Sequence, residues 1–390
     1  MSQLTYLEKL LDGVEVEWKV LGGLAENLDS MRKPITSGLR EPGDIPYYGA
    51  SGIVDYVKDY IFDGDFLLVS EDGANLLARN TQIAFSISGK SWVNNHAHIL
   101  KFNTYVERRF VDIYLNSIDL TPYISGAAQP KLNQKNLNSI QIPIPCPDNS
   151  EKSLEIQAEI VRILDTFTAM TAELTAELSM RKKQYNYYRD QLLSFEEGEV
   201  EWKALGELAE NLDSKRKPIT SGLREVGDIP YYGASGVVDY VKGHIFDGDL
   251  LLVSEDGANL LARNTPIAFS ISGKTWVNNH AHVLKFETYA ERRYVEFYLN
   301  SIDLIPYISG AAQPKLNKKN LNSISIPNPS PDEKERIVTI LDKFDTLTTS
   351  IQEGLPREIE LRQKQYEYYR DLLLSFPQSS SDELTVEENA

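Results

Sequence analysis

At 390 residues, 42% hydrophobic and 25% charged, the chain has room for two or three domains, each with its own core. It contains no run of about 18 apolar residues, its opening Met1-Ser2-Gln3-Leu4-Thr5-Tyr6 lacks the basic and apolar regions of a signal peptide, and one cysteine, Cys146, excludes an internal disulfide framework. A soluble cytoplasmic protein is expected, with a net charge of −17 distributed as −1 over 1–13, −4 over 14–150, −3 over 151–198, −2 over 199–331 and −7 over 332–390, so the basic footprint of a typical nucleic-acid binder is missing.

In chain order, Ile61–Val69 reads as a turn feeding a strand, and Ile83–Ile87 and Val93–Leu100 alternate or run apolar as strands do. Arg108–Ser117 predicts a helix, and Ile140–Pro145 an extended exit whose prolines forbid a helix. The next segment changes character. Ile160, Ile163/Leu164, Phe167, Met170, Leu174 and Leu178 recur in three- and four-residue steps, extended by Tyr185, Tyr188 and Leu192, which makes a narrow apolar seam for a partner helix.

The pattern then starts again. Glu17–Ser139 and Glu201–Ser323 match at a constant offset of 184, with 105 of 123 positions identical. A repeat of this length is a whole domain, since solenoid units run about 20–50 residues. A second seam follows the second copy: Ile337, Ile340/Leu341, Phe344, Leu347, Ile351, then Tyr366, Tyr369 and Leu373. The expected fold is α+β: two α/β heads in tandem over 1–150 and 199–331. They are separated by two long antiparallel helices (151–198 and 332–376) forming a coiled-coil spacer with pseudo-two-fold symmetry, and a disordered tail over 377–390 ends the chain.

The two helical segments differ in length. Asp165 to Arg181 spans 16 steps and Asp342 to Arg362 spans 20. The first carries the tandem Thr171-Ala172-Glu173-Leu174 and Thr175-Ala176-Glu177-Leu178; the second carries Gly354-Leu355-Pro356, expected to break its helix. Four helical residues are about 6 Å, so such a pair would act as a ruler between two heads. Two equal heads suit a partner that is itself two-fold, of which a bipartite DNA site is the leading example.

Four residue sets converge on one family: Tyr47-Tyr48-Gly49-Ala50-Ser51-Gly52, Gly126-Ala127-Ala128-Gln129-Pro130-Lys131-Leu132, Ile142-Pro143-Ile144-Pro145, and the helical Ile163-Leu164-Asp165. Across essentially its whole length the chain resembles the specificity subunits of type I restriction–modification enzymes (the HsdS family). The Thr-Ala-Glu-Leu repeats with Arg181-Lys182-Lys183-Gln184-Tyr185 resemble the type IC branch. The resemblance implies two target-recognition domains, each reading half of a split DNA target, and helices that dock modification subunits. It places S-adenosylmethionine-dependent adenine methylation, and ATP- and Mg-dependent restriction, on partner subunits. No cofactor is implied in this chain.

The residues themselves hold no catalytic set. The nearest approach to an amino-methyltransferase loop, Asn328-Pro329-Ser330-Pro331, lacks the aromatic residue, and no phosphate-binding Gly-rich loop occurs. His96 with His98, and His280 with His282, share strand spacing, but no third ligand completes a metal site. Glu71-Asp72 and Glu255-Asp256 read as acid pairs, solvated loops or base readers.

DNA readout requires donors and acceptors on loops. The candidates in the first head are Arg32, Lys33, Tyr47, Tyr48, Ser51, Arg79, Trp92, Asn94, Asn95, His96, His98, Gln129 and Lys131. Their counterparts are Arg216, Lys217, Tyr231, Tyr232, Ser235, Arg263, Trp276, Asn278, Asn279, His280, His282, Gln313 and Lys315. For most of these a structural role (a core tyrosine, a strand-end asparagine, a solvated basic pair) competes evenly with DNA contact. An acidic two-headed protein-interaction scaffold stays open as the alternative function, supported by the net charge.

Overall fold

The computed structural model describes residues 6–377 apart from 80, 127–128, 197, 264 and 311–313; the expectation for the tail from Gln378 lies outside the described residues. The chain forms two compact units. One runs to Glu173 and resumes at Glu360; the other is Leu174–Ile359. Each unit therefore holds one head together with segments of both helical regions. The mixed α/β architecture, the tandem domains and the long central helix agree with the expectation from sequence.

Each head opens and closes on one small antiparallel ribbon. Val16–Val20 pairs with Gln141–Pro145, and Glu201–Ala204 with Ser325–Asn328. Pro143, Pro145 and Pro327 fit because a two-stranded ribbon has edges on which a missing N–H leaves no ladder bond unmade. The head is thus a closed excursion of the chain.

Inside the first head, six strands order as Glu26–Asn27, Ala97–Lys101, Phe62–Ser70, Ala84–Val93, Pro42–Gly49, Gly52–Val57. Strand Phe62–Ser70 is buried on both faces: Leu67 and Val69 enter the core shared with helix Tyr105–Ser117, while Phe66 and Leu68 enter a second core with Phe62, Ile87, Val93 and Ile99. This follows from the two-residue period of a strand. The second head repeats the order in two four-stranded sheets, joined across the hairpin where Gly248 donates to Gly273 O at 3.2 Å.

The run Val93–Leu100, expected as one strand, is two. Asn94 Oδ1 accepts from the His96 amide at 2.8 Å, closing a turn between strands Ala84–Val93 and Ala97–Lys101. The helix expected over Arg108–Ser117 begins earlier, at Tyr105, because Thr104 and Glu107 form a reciprocal capping box.

The first long helix is continuous over Ser150–Leu192, 43 residues or about 65 Å. Its start is fully engaged: Ile156, Ile160, Val161 and Leu164 are buried in the first head's core, with Leu373, Leu374 and Phe376. Further along, only a narrow stripe including Phe167, Met170, Leu174 and Leu178 is half-buried, the width of a helix–helix seam. Phe167 stacks on Tyr369 at 5.2 Å in the first unit, and Tyr188 on Phe344 at 5.7 Å in the second. The second helical region is broken as expected into Pro331–Thr349 and Leu355–Leu373. Gly354 sits at φ +98, and a Cβ there would lie 2.5 Å from Thr346 O, so the break demands glycine. Pro356 falls in the first turn of the next helix, where its missing N–H is harmless.

Ion pairs fasten each head to the helix that follows it. Arg109 bridges Asp112 and Asp165 at 2.8 and 2.7 Å, and Tyr105 donates to Asp165 at 3.0 Å. In the second head Arg293 bridges Glu296, Asp342 and Asp345, and Tyr289 donates to Asp342 at 2.7 Å. Burial raises the Asp112 and Glu296 carboxyls, and the arginines pull them back only in part. No helix among the described residues is long and apolar enough to cross a membrane.

Candidate nucleic-acid interface

Four loops meet at one corner of each head. In the first head they are the turn Asp29–Lys33, Glu71–Gly73, Asn94–His98, and Ser125 with Pro130–Leu132. Backbone bonds stitch them: Glu71 N donates to His96 O at 2.9 Å, Leu132 N to Glu71 O at 3.0 Å and Gly73 N to Pro130 O at 2.8 Å. Gly73 is required, since a Cβ would lie 2.2 Å from Pro130 O.

Beneath the corner lies a polar network. Asp29 Oδ2 is 2.5 Å from His98 Nδ1, Asp29 Oδ1 accepts from Ile99 N at 3.0 Å, and His98 Nε2 is 2.6 Å from Leu132 O. Arg32 donates to Asp29 O, Glu71 and Ala97 O, and Lys131 donates to Glu71 at 3.3 Å. Burial would raise the Asp29 carboxyl, but the His98 hydrogen bond and charge, the Ile99 amide and Arg32 together outweigh it and hold the group below the usual aspartate range; Asp213 is held down in the same way by His282, Val283 and Arg216.

This geometry sorts the candidates by burial and by the partners they already hold. Arg32 and Arg216 are committed to internal acceptors, with side chains 14% and 15% exposed. Tyr47 and Tyr231 are buried core residues whose hydroxyls accept from Ile35 N and Ile219 N, out of reach of a duplex. His98 and His282 are buried, so neither shares an exposed strand face with His96 or His280. Asn94 and Asn278 are buried and spend Oδ1 on the turn. Arg79 and Arg263, in left-handed conformation at helix ends, are exposed and donate to the carbonyls of Asn116 and Ile118, and of Asn300 and Ile302.

Half-buried candidates come next. Tyr48 and Tyr232 pack on Phe85 and Phe269, and burial raises their pKa. Trp92 and Trp276 donate their indole N–H to Lys33 O and Lys217 O at 2.5 and 2.6 Å, setting the course of the basic loop. Exposed to solvent are Lys33, Ser51, Asn95, His96 and Gln129, with Lys131 half-exposed; the second head matches with Lys217, Ser235, Asn279, His280 and Lys315, while Gln313 lies outside the described residues. His96 is 3.0 Å from Asp72. Among the described residues no group of three or more metal-ligating side chains is assembled.

One basic residue on this face was not singled out from sequence. Lys90 stands two residues before Trp92 on the same strand face, its Nζ 4.5 Å from the Tyr60 ring centre. The signal was the alternation Lys90, Trp92 within one strand.

The family model for the type I restriction modification DNA specificity domain matches this chain twice, over residues 14–180 and 197–361. The specificity subunit of the type I restriction enzyme EcoR124I/EcoR124II of Escherichia coli is 39% identical over 414 residues, covering 97% of this chain and 98% of that protein. The EcoprrI specificity subunit of Escherichia coli is 36% identical over 389 residues, covering 90% and 93%. In fold, the crystal structure of a type I restriction–modification S subunit from M. genitalium aligns at a TM-score of 0.63 and 14% identity over 94% of this chain and 98% of that one. With the family's domain found in both halves and full-length relatives at this identity, the chain belongs to the type I restriction–modification DNA specificity family.

Proposed function

We propose that this chain is the DNA-reading, non-catalytic subunit of a type I restriction–modification complex. Each head reads one half of a bipartite, gapped DNA target, and the helical regions dock the modification subunits and set the gap. Adenine methylation with S-adenosylmethionine belongs to those subunits, and ATP- and Mg-dependent restriction to a further one. Those subunits also supply much of the phosphate neutralisation that a chain of net charge −17 lacks.

The observation carrying this reading is the sameness of the exposed base-facing candidates in the two heads. The 18 differences between Glu17–Ser139 and Glu201–Ser323 spare Lys33/Lys217, Asn95/Asn279, His96/His280 and Lys131/Lys315. Asparagine suits adenine bidentately, and lysine suits guanine or phosphate. Equal readers take equal half-sites, so the target is a gapped palindrome. Mapping methylated adenines in DNA from a host carrying the complex tests this; halves that are not reverse complements would refute equal reading. The acidic-scaffold alternative is decided by a pull-down: co-purification with a methyltransferase subunit and salt-dependent DNA binding by that complex exclude it.

A further inference from the structure

We propose that the two heads, equal as readers of bases, are unequal in their grip on the phosphate backbone, and that the second head holds it through Lys215 and Lys274. The proposal rests on the DNA-recognition reading above.

In the first head, Lys90 and Trp92 share one strand face, closed at one end by Lys33 through the Trp92 indole bond and at the other by Tyr60 against Lys90. Two carboxylates temper this face: Asp59 adjoins Tyr60, and Asp63 stands opposite Lys90 in the ladder. Exposed Met31 lies two residues before Lys33.

The second head keeps the frame. Trp276 donates to Lys217 O at 2.6 Å, and Asp247 stands opposite Lys274. Three of the 18 differences fall at Tyr60 on this face or within two residues, in the chain, of the residues that close it. Gly243 replaces Asp59, His244 replaces Tyr60 and Lys215 replaces Met31. One carboxylate is lost, one ammonium is gained, and Lys274 loses the tyrosine ring that tethers its counterpart. The net charge around the face is therefore more positive by two in the second head. Lys215 and Lys274 are exposed, and neither makes an ion pair among the described residues. Charge without a change in base-facing groups alters affinity and leaves sequence choice alone, because phosphate contacts position and base contacts specify.

The test uses the full chain assembled with its methyltransferase subunits, a duplex carrying the methylated motif, and a scrambled duplex, with affinity measured across a salt series. Each phosphate contact contributes about 0.9 to the slope of log affinity against log salt. Lys215→Met with Lys274→Gln is expected to flatten the slope by about 1.8 and leave motif preference unchanged. Met31→Lys steepens it by about 0.9, and Lys90→Gln changes it by less than half as much as Lys274→Gln. Equal effects of Lys90→Gln and Lys274→Gln, or no steepening by Met31→Lys, overturn the proposal. Unchanged thermal melting verifies that each variant folds. A wild-type complex that binds the motif and scrambled duplexes alike would instead bring down the recognition reading itself.

Discussion

His98 and Asp29 meet at 2.5 Å beneath the exposed corner of the first head, and His282 and Asp213 meet at 2.7 Å in the second. Each imidazole also faces a backbone oxygen, Leu132 O or Leu316 O, at 2.6 Å. The pair ties the turn at Asp29, the strand at His98 and the loop ending at Leu132 into one unit, which gives the exposed residues above it a fixed platform.

Removing that tie should loosen the corner. Asp29→Asn is expected to lower the stability of the first unit by about 1–3 kcal/mol, the usual consequence of leaving buried donors short of an acceptor. Folding lowers the Asp29 pKa, so the ionised form favours the folded state. Its stabilisation is complete above the ordinary aspartate value of about 3.9 and is lost as pH falls through the depressed folded value. Denaturant titrations over a pH series should show this acid limb in the wild type and a flatter one in the doubly substituted Asp29→Asn, Asp213→Asn chain.

Exposed corner residues should govern DNA binding without touching stability. Lys33→Glu with Lys217→Glu is expected to weaken binding by the complex at every sequence and to reduce its salt dependence. Asn95→Asp with Asn279→Asp should alter the preferred base at one position of each half-site, at about 1–3 kcal/mol per contact. Competition binding against single-base variants of the motif separates the two behaviours; a shift in base preference with the lysine pair would contradict the assignment.

Arg109 holds the first head to its helix. Arg109→Ala leaves the buried Asp112 carboxylate without its cation and should cost about 3 kcal/mol. Adding Asp112→Asn should recover part of that loss, since it removes the orphaned charge. Calorimetric melting of the two single variants and the double variant gives the coupling; simple additivity would mean that the pair does not interact as the geometry implies.

The spacer carries its own prediction. Deleting Thr175–Leu178 removes about 6 Å of helix and rotates the remainder of the helix by about 40°. The complex should then prefer a different gap between unchanged half-sites, read out as the methylated motif. Altered half-sites would refute a spacing role for this segment.

The features legible in the sequence came from local rules. The internal repeat, the strand signals at Ile61–Val69 and Ile83–Ile87, the seam from Ile160 to Leu192 and the break at Gly354 each rest on periodicity or on the conformational limits of glycine and proline. The candidate site was legible as a set of segments but not as a set of contacts. Tyr47 and Tyr48 are neighbours in a strand, and alternation sends one into the core and leaves the other half-buried.

Two equal heads, the long helices after them and this family's motifs are legible without coordinates, because such features are written in consecutive residues. Only the tertiary structure decided which polar residues are spent inside the fold. Arg32 and His98 look as available as Lys33 and His96 until Glu71 is brought against the first, and Asp29 and Leu132 against the second, from distant parts of the chain. A buried polar group must find partners wherever the fold supplies them, and those partners lie up to 69 residues away in sequence, beyond the reach of any local pattern.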